Sequence, residues 1–367
     1  MTKTVESIFL IVSTTVGLGV FVLPFALASS GIFFWLWFLF LILVTHLLHL
    51  AYGEIIFQVE EKHNLPGLVA KFFGHKFKFP VWLFEFIGIN LTFLVYLIAS
   101  GTFVSIIFPI NPIFTKLALF AIVGFITYFS VNPIAKIETI LSVLLIAIFL
   151  LISFYILPNF DSQNFISNIK NFGDASPFFS YGILIFAFTG YSSLLLVYDL
   201  IGKNVKLFKR VNVWALAIIF VLYALYTISV FGALGNKVSE ESLTSLSKIL
   251  PQSIIALGVL LALLNIFTTF IALALYLKRG LIDDFKIKEK PAWFLTNIPI
   301  LFFAVLPLEK IAGLSGIVGT IFIGVNLILL LLCYQKIKEI KYFNVSKSIV
   351  WLLIAIFSIG FVLGLIL

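Results

Sequence analysis

The chain has 367 residues, of which 62% are hydrophobic and only 11% are charged. A soluble domain of this length could not bury so much apolar surface, so we expect the chain to lie largely in lipid. Its formal net charge of +8 does not indicate nucleic-acid binding, because the charged residues fall almost entirely between the hydrophobic segments. One cysteine excludes an intrachain disulfide, and four scattered histidines argue against a structural zinc site.

Apolar segments of about twenty residues, the length that crosses a bilayer, recur along the chain. We count eleven and predict an all-α polytopic membrane protein. The first segment is longer than the apolar core of a cleaved signal peptide, so we predict a membrane span there as well. The predicted spans are residues 5–29, 31–58, 79–108, 113–131, 137–157, 177–202, 209–234, 252–278, 292–308, 310–335 and 346–367.

The positions of Lys and Arg predict the orientation, because cytoplasmic loops are enriched in these residues. With the N-terminus in the cytoplasm, 19 of the 24 Lys and Arg residues fall on the cytoplasmic side. Merging or splitting any span would destroy this asymmetry, which supports the count of eleven. We therefore predict an integral protein of the cell membrane with a cytoplasmic N-terminus and an extracytoplasmic C-terminus.

The first span contains the string Val-Gly-Leu-Gly at residues 16–19. Glycine is a poor helix former, and backbone that leaves the helix at mid-membrane is tolerated only when it is buried in protein or lines a cavity. The half-helix after Gly19 would direct free N–H groups into this interruption, which suits a carboxylate. The half-helix before Gly17 would end there with free carbonyls, which suit an ammonium group or a metal cation. The simpler alternative is that the glycines allow two helices to pack closely.

The sixth span is interrupted in a similar way by Phe-Thr-Gly-Tyr at residues 188–191. Two interrupted spans at matching positions of two halves are typical of secondary transporters with inverted repeats. Carbonyls of residues 186–188 would face the second interruption, and N–H groups would follow Thr189 and Gly190. A site with donors for a carboxylate and acceptors for an amine matches the backbone of an α-amino acid.

Two segments resemble those of known permeases. Residues 15–24, Thr-Val-Gly-Leu-Gly-Val-Phe-Val-Leu-Pro, resemble the first-helix signature G-x-G-[IV]-[FL]-x-L-P of amino-acid permeases. Residues 185–199 resemble the sixth helix of the amino acid/auxin permease family and its aromatic amino-acid permease relatives, and eleven spans is also that family's count. The resemblance implies a LeuT-type fold of five plus five helices in inverted repeat with one extra helix, and helices 1 and 6 broken at mid-membrane. It also implies amino-acid transport by alternating access, driven by sodium or protons.

This fold implies a division of the chain and a substrate site. Residues 1–157 would form the first repeat, residues 158–335 the second, and residues 336–367 the additional helix. Neither interruption contains an acidic or basic residue, so we expect a neutral amino acid, aromatic ones included. The abundant aromatic residues do not by themselves indicate an aromatic substrate, because they are ordinary in membrane helices. The residues that we expect to face the substrate are Thr15, Gly17, Leu18 and Gly19 of the first span and Phe186, Phe188, Thr189 and Gly190 of the sixth.

The resemblance also implies a candidate sodium site. LeuT-type sodium symporters share the Val-Gly-Leu-Gly string and use carbonyls just before it together with two adjacent hydroxyls on helix 8. Here Ser13 and Val16 would supply the carbonyls, and Thr268 and Thr269 the hydroxyls, an oxygen set that suits a hard cation. The alternative is that these threonines bond to their own helix.

Other residues bear on the choice of coupling ion. Val20 stands where those symporters have an Asn that holds a second sodium, so we do not expect that second ion. Some proton-coupled permeases place a lysine of helix 5 in the sodium position, and the fifth predicted span has no such lysine in its middle. The pattern favours sodium but leaves protons open, and we expect no other cofactor.

Three acidic residues are candidates for gating or proton transfer, because charge within a membrane is costly and usually functional. Glu85 lies on the cytoplasmic side of the third span and would bind a proton or pair with a loop lysine, of which we favour the pair. Asp199, near the cytoplasmic end of the sixth span, would pair with the basic loops. Glu6 would latch the base of the first span to Lys278 or Arg279.

The chain lacks the motifs of a membrane-embedded enzyme, such as H-E-x-x-H or a nucleophile with a paired histidine, and it lacks the repeated polar rings of a channel. We therefore predict a transporter whose partners are an amino-acid substrate and the lipid bilayer, with no role for nucleic acid. Two alternatives remain: a membrane sensor that binds amino acids without transporting them, and a transporter of another small amine or organic cation.

Overall fold

The described part of the chain is helical, and no β-strand occurs within it. The computed structural model describes residues 3–59, 63–129, 135–170, 177–306, 308 and 310–366, with the side chains of residues 135–142, 169, 170 and 366 excluded. The helices are α1 (Lys3–Thr15), α2 (Gly19–Ser30), α3 (Ile32–Gln58), α4 (Leu65–Phe73), α5 (Lys78–Ile107), α6 (Pro112–Tyr128), α7 (Ala135–Ile156), α8 (Ser162–Lys170), α9 (Phe179–Phe188), α10 (Ser193–Ile201), α11 (Val205–Leu234), α12 (Leu243–Leu246), α13 (Gln252–Arg279), α14 (Glu289–Ala304), α15 (Ile311–Ile317), α16 (Gly324–Gln335) and α17 (Lys347–Ile366).

Several of these helices are long and apolar enough to cross a membrane. Within the described ranges, seven helices meet this test, and nine do if each of two bent helix pairs counts as one span. The helix α6 is apolar but has only 17 residues. All eleven predicted segments contain helix, and the protein is an all-α protein with multiple membrane-spanning helices. The exact number of crossings stays a prediction.

The helix ends follow local sequence signals. Asn111 precedes Pro112 and accepts a hydrogen bond from the N–H of Ile113 at 3.0 Å, which caps the start of α6. Asn204 caps α11 in the same way. Gly31, with φ of +55°, makes the sharp corner between α2 and α3, a conformation that residues with a Cβ rarely adopt.

The interrupted helices lie side by side inside the bundle. The helix α1 packs against α10, and α2 packs against α9. Because the chain runs from α1 to α2 and from α9 to α10, the two pairs are antiparallel. They are enclosed by α7 and α11 next to α1 and by α3 next to α9, while α13 packs against α5 and α7. This arrangement brings the ends of α1, α2, α9 and α10 together in the interior.

A further close approach fixes the position of α9. A π-helical turn, Val318–Ile323, connects α15 to α16 and packs against α9. A Cβ built on Gly319 would fall on the carbonyl oxygen of Gly182, so the two backbones touch at this point. Glycine allows this contact, as small residues do in membrane helix interfaces. The outward-facing side chains of α3, α6 and α17 include large apolar residues such as Leu43, Phe125 and Leu365, each more than 60% exposed, as expected for surfaces in contact with lipid.

Candidate functional site

The first break, residues 16–18, separates α1 from α2, and the two helices are bent by 53° relative to each other. The N–H of Gly17 donates to the carbonyl of Thr15 at 2.9 Å, a tight turn that replaces the helical bond. Leu18 is buried, at 2% exposure, whereas Gly17 is partly exposed. A Cβ on Gly17 would meet no atom within 4 Å, so its backbone borders open space.

The second break, residues 189–192, separates α9 from α10. Thr189 is extended, with φ of −71° and ψ of 109°. Its hydroxyl donates to the carbonyl of Ile185 at 2.6 Å, and the hydroxyl of Ser193 donates to the carbonyl of Gly190 at 2.7 Å. The second break therefore supplies donors for its own free carbonyls.

The two breaks touch each other. A Cβ on Gly19 would lie 2.7 Å from the Cα of Ala187, and a Cβ on Gly190 would collide with the hydroxyl oxygen of Thr15. The hydroxyl of Tyr223, on α11, donates to the carbonyls of both Thr15 and Ala187, at 2.9 Å each. Tyr223 is fully buried, and the single hydrogen of its hydroxyl is shared between the two carbonyl oxygens at the ends of α1 and α9. The structure thus brings together three of the predicted residues, Thr15, Gly19 and Gly190.

The aromatic residue that ends α9, Phe188, packs against two neighbouring helices. The ring of Phe188 packs against Phe38 of α3 at a centroid distance of 5.4 Å and against Tyr223 at 5.5 Å. With Thr189 and Gly190, it lines a small cavity on the side of α3, α16 and α17. Phe186 is buried at 9% exposure. Phe188 therefore lies against α3 and α11 in this conformation.

A second cavity, of about 60 Å³, lies between α1, α7 and α13. All four residues of the predicted sodium site line it: Ser13, Val16, Thr268 and Thr269. No acidic residue is among its described lining residues. The structure therefore brings the predicted ligands to one place, in neutral surroundings and with room for water.

One residue of this cavity was missed by the sequence analysis. Asn265, on α13, donates from its amide nitrogen to the carbonyl of Val16 at 2.6 Å. Its side-chain oxygen accepts from the hydroxyl of Thr269 at 3.3 Å, and its backbone carbonyl accepts from the hydroxyl of Thr268 at 3.1 Å. The hydroxyl of Ser13 bonds to Leu10 of its own helix. The available sequence signal was a lone amide in an apolar helix, which needs a partner when it is enclosed in a membrane protein.

None of the three acidic candidates lies within either break. Glu85 is 5% exposed on α5 and accepts a hydrogen bond from the hydroxyl of Tyr276 on α13 at 2.9 Å. Its observed partner is thus a tyrosine rather than the loop lysine that the sequence analysis favours. Asp199 is exposed near the end of α10. Glu6 lies partly buried on α1. Within the described residues, no group of three or more His, Cys, Asp and Glu is arranged to hold a metal ion.

One of the two predicted partners of Glu6, Lys278, contacts other helices. Lys278 is 1% exposed, and its ammonium donates to the carbonyls of Thr127 and Tyr128 at the end of α6. It also pairs with Glu289 at 3.0 Å. Lys278 therefore ties the end of α13 to α6 and α14, and it serves the C-terminal carbonyls of α6 in the way expected of a cation there.

The whole chain is similar to one described family. The model of the Tryptophan/tyrosine permease family matches residues 1–367. No curated protein matches the chain.

Solved structures of transporters share the fold. MhsT in complex with L-phenylalanine is similar with a TM-score of 0.73, over 98% of this chain and 97% of that one, at 15% sequence identity. The Eremococcus coleocola manganese transporter, in complex with an aromatic bis-isothiourea substituted compound, is similar with a TM-score of 0.68, over 98% of this chain and 85% of that one, also at 15% identity. At such identities the likeness concerns the fold alone, and it confirms the predicted LeuT-type architecture.

Proposed function

The chain belongs to the Tryptophan/tyrosine permease family, and we propose that it moves neutral amino acids, aromatic ones included, across the cell membrane by alternating access. Its membership of a permease family indicates a transporter of the membrane rather than an enzyme. The observation that best supports the substrate site is the meeting of the two breaks at the hydroxyl of Tyr223, with open space beside Gly17.

The backbone of the two breaks suits the two charged ends of an amino acid. The N–H groups at the starts of α2 and α10 lie at the positive end of a helix dipole, which suits a carboxylate. Those of Phe21, Ser193 and Leu194 donate to the carbonyls of Leu18, Gly190 and Tyr191, so a carboxylate would bind at the remaining N–H groups or compete with these bonds. The carbonyls of Thr15 and Ala187 accept from Tyr223, and an ammonium group with three N–H donors would join or replace that hydroxyl. The breaks contain no charged residue, which supports a neutral side chain on the substrate.

The family description and one neighbour support an aromatic side chain on the substrate. The family is named for tryptophan and tyrosine, and MhsT was solved with L-phenylalanine. We accordingly expect tryptophan, tyrosine and phenylalanine to be the best substrates of this chain, with small neutral amino acids transported more slowly.

We further propose that residues 1–157 and 158–335 are inverted repeats, that residues 336–367 add one helix, and that the N-terminus faces the cytoplasm. The antiparallel packing of α1 on α10 and of α2 on α9 supports the repeat. The distribution of Lys and Arg supports the orientation.

Uptake against a gradient needs a coupling ion, and we propose sodium or a proton in this role. On the sodium hypothesis, the ion would bind in the cavity lined by Val16, Thr268 and Thr269. Glu85 is the candidate for a proton, because its carboxyl group is buried and has the neutral hydroxyl of Tyr276 as its partner. On the proton hypothesis, Glu85→Gln abolishes stimulation by a proton gradient but leaves exchange of labelled for unlabelled substrate intact.

The experiment that tests the function is uptake of a panel of radiolabelled amino acids into proteoliposomes, with sodium and proton gradients imposed independently. We expect concentrative uptake of an aromatic amino acid under one of the two gradients. Binding of an amino acid without flux would identify a sensor instead. If no amino acid binds or moves in correctly inserted protein, the substrate belongs to another class, such as a small amine.

A further inference from the structure

We propose that Asn265 is a positioning residue that holds the first break in place of a metal cation, so that transport does not require sodium. This inference rests on the proposed function, because it concerns the ion dependence of the same transport cycle. It starts from a disagreement between the residues of the α1–α13 cavity and the sodium ion that they were expected to bind.

The disagreement lies at the carbonyl of Val16. Its oxygen would have to ligate the ion, but it accepts from the amide nitrogen of Asn265 at 2.6 Å. An amide nitrogen is a donor only and cannot ligate a hard cation, which requires oxygen. The positive end of the amide dipole thus lies against this carbonyl, occupies one of its two lone pairs and would repel a cation that approached the other.

The rest of the network fits an amide better than an ion. The oxygen of the Asn265 side chain accepts from Thr269, so both ends of the amide are used. The hydroxyl of Thr268 bonds within α13. A cation added here would lose its hydration in a cavity without an acidic residue among its described lining, while an amide satisfies the same carbonyl without burying a charge.

A neutral donor also serves the neighbouring carbonyls. The hydroxyl of Tyr223 donates hydrogen bonds to the carbonyls of Thr15 and Ala187. Two consecutive carbonyls at the end of α1, those of Thr15 and Val16, therefore receive neutral donors from two other helices, α11 and α13. The chain itself provides what a bound cation would provide at this break, namely a positive partner that ties α1 to the surrounding helices.

The test converts the donor into a ligand. Asn265→Asp replaces the amide nitrogen by a carboxylate oxygen of similar size, next to the carbonyl of Val16 and the hydroxyls of Thr268 and Thr269. We expect the purified variant to gain a rise in its thermal midpoint when sodium chloride replaces choline chloride, as ligand binding to the folded state requires. We expect its uptake to become sodium-dependent by about fivefold or more, consistent with a bound ion that is needed for the cycle. The wild-type protein should show neither response.

A matched control makes the same charge change elsewhere. Asn297, on α14, is buried and donates from its amide to the carbonyl of Trp293 at 2.8 Å in its own helix. Asn297→Asp introduces a carboxylate without the other oxygen ligands, so we expect no specific response to sodium. In the double variant Asn265→Asp with Thr269→Val, the response to sodium should be lost again.

The inference is overturned if uptake by the wild-type protein requires sodium, or if sodium raises the thermal midpoint of the wild-type protein. It is also overturned if Asn265→Asp responds to sodium no more than Asn297→Asp does. Should Asn265→Asp fail to fold, Thr268→Val and Thr269→Val together provide the second test: uptake within about twofold of wild type supports the inference, and abolished uptake in folded protein contradicts it. The thermal measurements need no substrate, so failure of the proposed transport in every gradient would be recognised separately.

Discussion

At the second break, two carbonyls accept from hydroxyl groups of the same segment, and the carbonyl of Ala187 at the end of α9 accepts from α11. At the first break, two consecutive carbonyls accept from two other helices, α11 and α13. Thr189 and Ser193 serve the carbonyls of Ile185 and Gly190, three or four residues away in sequence. The carbonyl of Thr15 accepts from Tyr223 of α11, 208 residues away in sequence. The carbonyl of Val16 accepts from Asn265 of α13, 249 residues away. The bonds of Thr189 and Ser193 can persist when neighbouring helices move, whereas the bonds from Tyr223 to Thr15 and Ala187 and from Asn265 to Val16 must change.

This difference indicates which hydrogen bonds would change between the outward-facing and inward-facing states. A ligand shifts such an equilibrium only when it makes different contacts in the two states. Contacts between the first break and α11 or α13 must change if α1 moves relative to those helices, whereas the local contacts of the second break need not. We therefore expect substitutions around the first break to affect transport more strongly than substitutions within the second.

The largest effect is expected at Gly19, the residue that follows the first break, whose surroundings differ from those of Gly17 within the break. Gly19→Leu places a Cβ within 2.7 Å of the backbone of Ala187, so α2 and α9 must separate and the meeting of the two breaks is lost. We expect uptake to fall by at least about a hundredfold, together with destabilisation of about 1–3 kcal/mol from overpacking. The measurements are uptake in proteoliposomes and the thermal midpoint of the purified protein.

Gly17→Ala is the matched control, because its new methyl group meets no atom within 4 Å. We expect normal expression and a thermal midpoint near that of the wild-type protein, but a raised KM, since the methyl group enters the open space assigned to substrate. If Gly19→Leu transports normally, the assignment of this site is wrong. If Gly17→Ala leaves the KM unchanged, substrate does not occupy the space beside this residue.

An intermediate effect is expected at the hydroxyl that joins the breaks. Tyr223→Phe leaves the buried carbonyls of Thr15 and Ala187 without this donor, which we expect to cost about 1–3 kcal/mol of stability. Because the lost bond links α1 to α9, we also expect uptake to fall about tenfold or more, a loss of about 1.4 kcal/mol in transition-state stabilisation. The thermal midpoint and the initial rate of uptake are the quantities to measure.

Tyr226→Phe separates these two effects. Tyr226 lies on the same helix, is fully buried, and bonds through its hydroxyl to Ser242 at 2.7 Å. Its substitution should lower stability but leave uptake close to that of the wild-type protein. Equal losses of uptake in the two variants would show that Tyr223 acts only through stability.

The sequence located both breaks because glycine within an apolar helix is a local signal. It also selected four residues that the structure brings to one cavity, Ser13, Val16, Thr268 and Thr269, although this selection came from a resemblance. The helical fold was also predictable from a local signal, because apolar segments long enough to cross a membrane can be recognised from composition and length.

The residues that hold the first break could not be identified in this way. Tyr223 and Asn265 lie in helices α11 and α13, where isolated polar residues have no sequence pattern that names their partners. Their contacts depend on how helices distant in sequence pack around α1. The partner of Glu85 was missed for the same reason, because Tyr276 is 191 residues away from it.

The smallest effect is expected at the second break, where the bonds are local. Thr189→Val keeps the shape of the side chain but removes the hydrogen bond to the carbonyl of Ile185, which we expect to cost about 1 kcal/mol and to lower uptake by no more than about threefold. Thr92→Val is the matched control, because the hydroxyl of Thr92 makes the same kind of bond, to Gly88 at 3.0 Å, within the uninterrupted helix α5. Similar results for the two variants would support a local role for the Thr189 hydroxyl. A loss of uptake at Thr189 as large as that at Tyr223 would instead mean that both breaks respond to the movements of the bundle, and the contrast between them would not hold.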